Sequence, residues 1–303
     1  MKTIREYLTS PRLLAISLLM RFGFWIPDSV YLRMMYYLTM GERLNLKHPI
    51  TFSEKLQWLK LYNRKPEYTM MVDKVRVKEY VAKIIGKEYI IPTLGVWNNP
   101  EEIDFNILPN QFVLKCNHNS GLGMCLCKDK LKINKALVVK KLKKGLKENY
   151  YIGKREWPYK NVPRKILAEV FLSDLNNSEL KDYKFFCFNG IAKYCQVIAN
   201  RSTDETIDFY DRKWLHQDFV GLLSAVHHAP AVHHAPVNYD KMLQIADRIA
   251  SEVRSPFVRV DLYNIDGKIY FGEITFFPLS GFGKFESNEW NDELGGLMKL
   301  GDI

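Results

Sequence analysis

Arg259, Asp261, Glu273 and Thr275 are the residues of this chain best arranged to do chemistry. They lie in VRVDLYNIDGKIYFGEITF, residues 258–276, which reads as two extended runs rich in aromatic and β-branched side chains. Asn264-Ile265-Asp266-Gly267 supplies the turn between them. A carboxylate on each strand, with a guanidinium beside them, can hold Mg²⁺ against a polyphosphate and neutralise charge that builds during its transfer. The bland alternative is a half-buried hairpin whose charges are solvated.

The turn decides whether these side chains share a face. A two-residue Asp266-Gly267 turn pairs Asp261 with Gly272 and sends Glu273 to the opposite side. A three-residue loop with Gly267 left-handed pairs Asp261 with Phe271 and Arg259 with Glu273. Side chains alternate with period two, so the second register puts all four on one face, and it is the one expected.

A second feature is the loop 117–123, NHNSGLG, between strands expected at 111–116 and 124–128. Gly121 and Gly123 let backbone N–H groups approach a phosphate without a Cβ clash. GxxxxGK[ST] and GxGxxG are both absent, so this is not a P-loop. Lys115 enters the loop from an apolar strand, where a charge should have an anion to meet unless it snorkels out from an edge.

The surrounding pattern must hold these parts in place. Pro27-Asp28-Ser29 opens a helix that Gly41 closes, and Thr51-Phe52-Ser53-Glu54 opens another. A helix is expected from Asp73 to Ile85, ending at Gly86, and a lysine-rich one over 134–149, capped by Asn134 with Val138, Leu142 and Leu146 inward. Strands are expected at 165–172, 183–188 and 191–197, the last two joined by Asn189-Gly190, with a helix at 239–253. Helices and hairpins alternate irregularly, so the fold class is α+β rather than a βαβ repeat.

The 303 residues carry a formal charge of +10, which favours anionic partners without choosing among phosphates, uronic acids, nucleic acid and acidic lipid. Five cysteines without framework spacing point to a reducing, cytoplasmic compartment, and Cys125-Leu126-Cys127 reads as core rather than zinc ligation. The apolar stretch at 13–20 and 22–26 is too short to span a bilayer and has no signal cleavage site. Its interleaved arginines suit either a helix packed on its own domain or one lying on the inner face of the plasma membrane, through residues 1–26. AVHHAP occurs twice in tandem at 225–236. His227, His228, His233 and His234 invite a metal, but without a nearby acid or cysteine a duplicated surface loop is the expectation.

The chain resembles ATP-grasp enzymes. Lys74 in MVDKVRVKEYV, Lys115 in FVLKCNHNSG, Glu169 in ILAEVFL and the RVD…GEIT hairpin stand in the order of that superfamily. TFSEKLQWLKLY at 51–62, REWPYKN at 155–161 and DYKFFCFNG at 182–190 make it most similar to the teichuronopeptide-biosynthesis (TupA-like) branch, from about residue 25 onward.

The resemblance implies two α+β lobes clasping ATP: a helical region 1–66, a lobe 67–168 with the glycine-containing loop, and a lobe 169–303 with the metal-binding hairpin. It implies Lys74 and Lys115 on the phosphates, with Ser120, Gly121 and Gly123 in a lid. Glu169, Val170, Phe171 and Leu172 would sit at the adenine hinge, and Asp182 at the ribose. Asp261, Glu273 and Thr275 would bind Mg²⁺, although the superfamily more often has asparagine where Thr275 stands. Arg259 would steady the transferring phosphoryl group, and Lys184 and Arg201 are candidates for holding substrate. The activity implied is a carboxylate–amine ligase joining an amino acid or amine to an acidic sugar or polysaccharide precursor, with no nucleic-acid partner. A glycosyltransferase is the rival, weakened by the absence of a DxD motif, and a sugar kinase using the same ATP site is another.

Overall fold

Local signals set the helix ends. The hydroxyl of Thr51 accepts from the Glu54 N–H while the Glu54 carboxylate accepts from the Thr51 N–H, a closed capping box that starts a helix at Phe52. Gly41 takes φ +89° to end the helix before it, and the Asn134 side chain caps the lysine-rich helix through the Leu137 N–H.

The computed structural model describes residues 10–173, 180–219, 221–222 and 227–301. Its helices are α1 (Pro11–Phe22), α2 (Asp28–Met40), α3 (Phe52–Tyr62), α4 (Glu67–Val72), α5 (Arg76–Ile85), α6 (Lys135–Lys147), α7 (Tyr150–Lys154), α8 (Tyr239–Val253) and α9 (Asn288–Leu297). The strands are β1 (Thr93–Trp97), β2 (Phe112–Cys116), β3 (Cys125–Cys127), β4 (Ile166–Val170), β5 (Asp182–Phe188), β6 (Ile191–Ala199), β7 (Thr206–Asp211), β8 (His216–Gln217), β9 (Gly221–Leu222), β10 (Phe257–Ile265), β11 (Lys268–Thr275) and β12 (Lys284–Phe285).

Two antiparallel sheets carry the chemistry. The first has the order β1-β4-β2-β3, the second β11-β10-β5-β6-β7-β8, and β9 pairs with β12 separately. The Asn189-Gly190 turn between β5 and β6 has both residues at positive φ, as expected for a two-residue hairpin.

Each sheet has its own apolar core. Phe112, Leu114, Ile166 and Ala168 of the first pack under α6 through Val138 and Leu142, while the lysines of α6 stay exposed. The second sheet buries Phe185, Phe186, Val197, Phe257 and Val260 together with α8, α3 and α2. Val77, Val81 and Ile85 of α5 also belong to this larger core, so the helix following Lys74 is anchored there. The 168/169 position falls inside β4.

Candidate nucleotide and metal site

The hairpin turn differs from the expected three-residue loop. Ile265 pairs with Lys268, leaving Asp266 (φ +49°) and Gly267 (φ +79°) as a two-residue turn. Uninterrupted, that turn would send Glu273 to the far face. The register shifts between Asp261 and Leu262, with Gly272 as the extra residue, so Asp261 stands opposite Glu273 and Arg259 opposite Thr275. All four side chains share one face after all, through a bulge rather than through the turn.

Their contacts are short and charge-assisted. Arg259 donates from Nε and Nη2 to the two oxygens of Asp261 at 2.6 and 2.7 Å, and from Nη2 to the Thr275 hydroxyl at 3.1 Å. Lys184, opposite Asp261 on β5, donates to Oδ2 at 2.6 Å. Glu273 lies 3.4 Å from Lys74 Nζ and 3.6 Å from Arg259.

Burial pushes the Glu273 carboxyl up, but Lys74, Lys184, Arg259 and Lys115 outweigh it and bring it to about 2. Asp182 goes the other way: burial raises it, and Lys184 and Arg201 only partly compensate. Arg201 Nε is 3.1 Å from Asp182 on a half-exposed side chain.

The first sheet supplies a second cluster facing the same charges. Glu169 on β4 is buried between Lys115 of β2 and Lys78 of α5, the latter at 2.5 Å. Burial raises its pKa, yet the two ammonium groups bring it below the ordinary value. Val170 ends the strand, Phe171 and Leu172 follow half-buried, and residues 174–179 lie outside the described set.

The glycine loop is tied down at its entry. Asn117 is buried, donating to Asp73 Oδ1 and the Pro163 carbonyl at 2.8 Å each and accepting from the Lys165 N–H at 2.7 Å. Lys74 Nζ donates to the Asn119 carbonyl at 2.9 Å. Ser120 and Gly121 are exposed at the tip, where a Cβ on Gly121 would meet nothing but where φ is +82°. Gly123 is buried instead: a Cβ there would come within 2.9 Å of Cys116 Sγ and 3.1 Å of Gly145 on α6.

A sequence profile described as TupA-like ATPgrasp matches residues 54–299. The chain belongs to the TupA-like ATP-grasp family. Among solved structures it is similar to the D-alanine–D-alanine ligase of Helicobacter pylori at 14% identity, covering 81% of this chain and 66% of that one, with a TM-score of 0.44. The Bacillus anthracis ligase complexed with ATP gives 15%, 69%, 54% and 0.39, and the ATP-grasp ligase PsnB complexed with minimal precursor gives 10%, 74%, 59% and 0.41. The chain therefore spans less than two thirds of the length of these ligases. No curated protein sequence matches it.

In this ATP-grasp chain the oxygen donors suit a hard divalent ion. Arg259 and Lys184 take three of the roughly four lone-pair directions of the Asp261 carboxylate, which leaves one on Oδ1. Glu273 is a third exposed, and the Thr275 hydroxyl sits 3.4 Å from its Oε1. An all-oxygen set of two carboxylates and a hydroxyl fits Mg²⁺.

Two supports of the TupA-like site were not singled out from the sequence. Lys78 follows Lys74 by four residues, the one-turn spacing that could have flagged it. Lys60 lies within the TFSEKLQWLKLY motif and is fully buried, donating to Gln57 Oε1, the Lys154 carbonyl and the Ser280 carbonyl at 2.9, 2.8 and 2.7 Å. Burial lowers it to about 7, with Glu156 partly offsetting. It pins the turn 278–281, where Leu279 and Ser280 are left-handed, directly after the strand that carries Glu273 and Thr275.

Proposed function

We propose that this chain is an ATP-dependent, ADP-forming carboxylate–amine ligase that amidates a uronic acid of a bacterial capsular or surface-polysaccharide precursor with an amino acid or amine. The observation that carries the reading is the set of four cations, Lys74, Lys115, Lys184 and Arg259, that act on Glu273 beside Asp261. Such a surface is built to receive a polyanion together with a divalent ion.

In this reading Lys74 and Lys115 take the phosphates, and Ser120, Gly121 and Gly123 cover them. Backbone groups of residues 169–172 hold the adenine, and Asp182 meets the ribose. Asp261, Glu273 and Thr275 hold Mg²⁺, which when bound neutralises phosphate charge. Arg259 steadies the phosphoryl group as it moves to the substrate carboxylate, and Lys184 and Arg201 hold substrate. The acyl phosphate is then attacked by the amine, the C–O bond to phosphate breaks, and the amide C–N bond forms. Positioning and charge neutralisation suffice, with no covalent protein intermediate.

The acceptor in this reading lies in a groove of about 600 Å³ lined by Glu67, Thr69, Arg76, Trp157 and Asn161 among others. A guanidinium for a carboxylate and an indole face for a sugar ring suit a uronic acid. The deciding experiment incubates the protein with Mg·ATP, uronic-acid acceptors and an amino-acid pool. ADP with an amide product is the expected result. A phosphorylated sugar, or sugar transfer from a nucleotide donor without ATP, would replace this reading with a kinase or a glycosyltransferase.

Peripheral membrane contact is part of the same proposal. Leu14, Leu18, Phe22, Phe24 and Trp25 are exposed around α1, with Met34 and Tyr37 on α2 and Arg21 among them. No helix among the described residues is long and apolar enough to cross a membrane. An apolar patch studded with arginine suits an anionic interface. Co-sedimentation with phosphatidylglycerol vesicles but not phosphatidylcholine vesicles is expected, and equal recovery with both would remove it.

A further inference from the structure

The acid that the duplicated AVHHAP segment lacks in sequence arrives from elsewhere in the fold. Asp208 of β7 is buried, and three histidines converge on it. His216 Nε2, from β8, lies 3.0 Å from Oδ1, and His228 Nδ1, from the first repeat, lies 2.9 Å from the same oxygen. His233 Nε2, from the second repeat, lies 3.3 Å from Oδ2. Its Nδ1 faces Lys181 Nζ at 3.4 Å. The Ala229 N–H donates to Oδ2 at 3.2 Å.

We propose that Asp208, His216 and His228 form a divalent transition-metal site, with zinc the ion of best fit. One ligand atom from each of the three lies within 4.8 Å of the others. Two ligands of a tetrahedral zinc, each at ~2.0 Å from the ion, stand roughly 3.3 Å apart, close to the separations seen here. Imidazole nitrogens with one carboxylate are a donor set that prefers zinc, copper or nickel over magnesium.

The site is separate from the nucleotide site. Asp208 pairs with Val197, Val197 with Tyr183 and Tyr183 with Leu262, whereas Asp261 pairs with Lys184. Alternation therefore puts Asp208 on the sheet face opposite the Lys184–Asp261 pair, toward the far edge of the sheet. Its role is structural. β8 is only two residues long, and the ion would clip it and the repeat segment onto β7.

The test uses the full chain, stripped with a chelator. Wild type is expected to take up one Zn²⁺ per chain in competition with a chromophoric chelator, to show intense tetrahedral Co²⁺ absorption, and to melt higher with Zn²⁺. Asp208→Asn and His228→Gln should each weaken uptake at least ~10-fold and lose the Co²⁺ band, whereas His234→Gln, at an exposed position, should change neither. If Asp208→Asn fails to fold, His228→Gln, on a third-exposed ring, carries the comparison. Absence of uptake by wild type, or full uptake by His228→Gln, would overturn the proposal.

Discussion

Asp261 and Glu273 face each other across β10 and β11 because Gly272 is one residue too many for the ladder. The two-residue turn alone would place these carboxylates on opposite sides of the sheet. The bulge moves Glu273 and Thr275 by one position, which turns both toward Arg259 and Lys74. A bulge also needs a residue without bulk here: a Cβ on Gly272 would stand 3.0 Å from the Asp261 carbonyl oxygen and 3.3 Å from the Tyr263 ring.

Deleting Gly272 should therefore give a regular ladder in which Glu273 still stands opposite Asp261 and Thr275 opposite Arg259. We expect a folded protein that keeps ATP-dependent turnover within ~10-fold of wild type, since no reacting group changes face. Gly272→Val keeps the residue count and should instead cost about 1–3 kcal/mol by overpacking. A loss of ~100-fold or more in the deletion variant, measured as ADP release, would show that the bend made by the bulge is needed beyond the shared face.

Much of this arrangement was legible in the sequence because its signals are local. The Thr51–Glu54 capping box, Gly41 at a helix end and the Asn189-Gly190 turn each act within four residues. The hairpin register was not legible in the same way. A three-residue loop and a two-residue turn with a bulge both place Arg259, Asp261, Glu273 and Thr275 together, and a glycine inside a strand does not announce which applies. Lys60 is harder still, since a lysine on an amphipathic helix reads as exposed until the 278–281 turn is seen to cover it. The convergence of His216 and His228 on Asp208 is non-local, and no window of sequence contains it.

Acid should expose the electrostatics of Glu273. Its folded pKa, about 2, lies below the ordinary value of 4.5, so the unfolded chain binds the extra proton. The stabilisation is then complete above pH 4.5 and is lost as pH falls from there toward 2. Urea midpoints measured from pH 6 to pH 3 should fall more steeply for wild type than for Glu273→Gln. Parallel curves would mean that the surrounding cations do not favour the ionised form.

Replacing Lys60 with methionine tests whether the turn after β11 is held electrostatically. The substitution fills similar space but leaves Gln57 Oε1 and the Lys154 carbonyl without the Lys60 donor, and the Ser280 carbonyl with the 3.3 Å bond from Gln57 Nε2 alone. It also strips Glu156 of the cation that most offsets its burial. Losses of this kind cost about 3 kcal/mol in total, and the loss should appear in equilibrium unfolding. A change under ~0.5 kcal/mol would show that packing alone holds the turn.

The Glu169 carboxylate is clamped by Lys78 and Lys115, and in the proposed site it works through those lysines rather than on a ligand of its own. Its two oxygens are each committed to one ammonium group, and the side chain is almost wholly buried. Glu169→Gln should therefore misplace Lys115 and lower kcat/KM for ATP by ~100-fold, while Lys115→Ala removes the ammonium outright and lowers it further. The double variant should be no worse than Lys115→Ala alone, because the carboxylate has nothing left to position. Strict additivity in this cycle would instead give Glu169 an independent contact with the nucleotide. Circular dichroism on each variant guards against a trivial loss of fold, since removing the acid strands two partly buried lysines at a cost of about 3 kcal/mol.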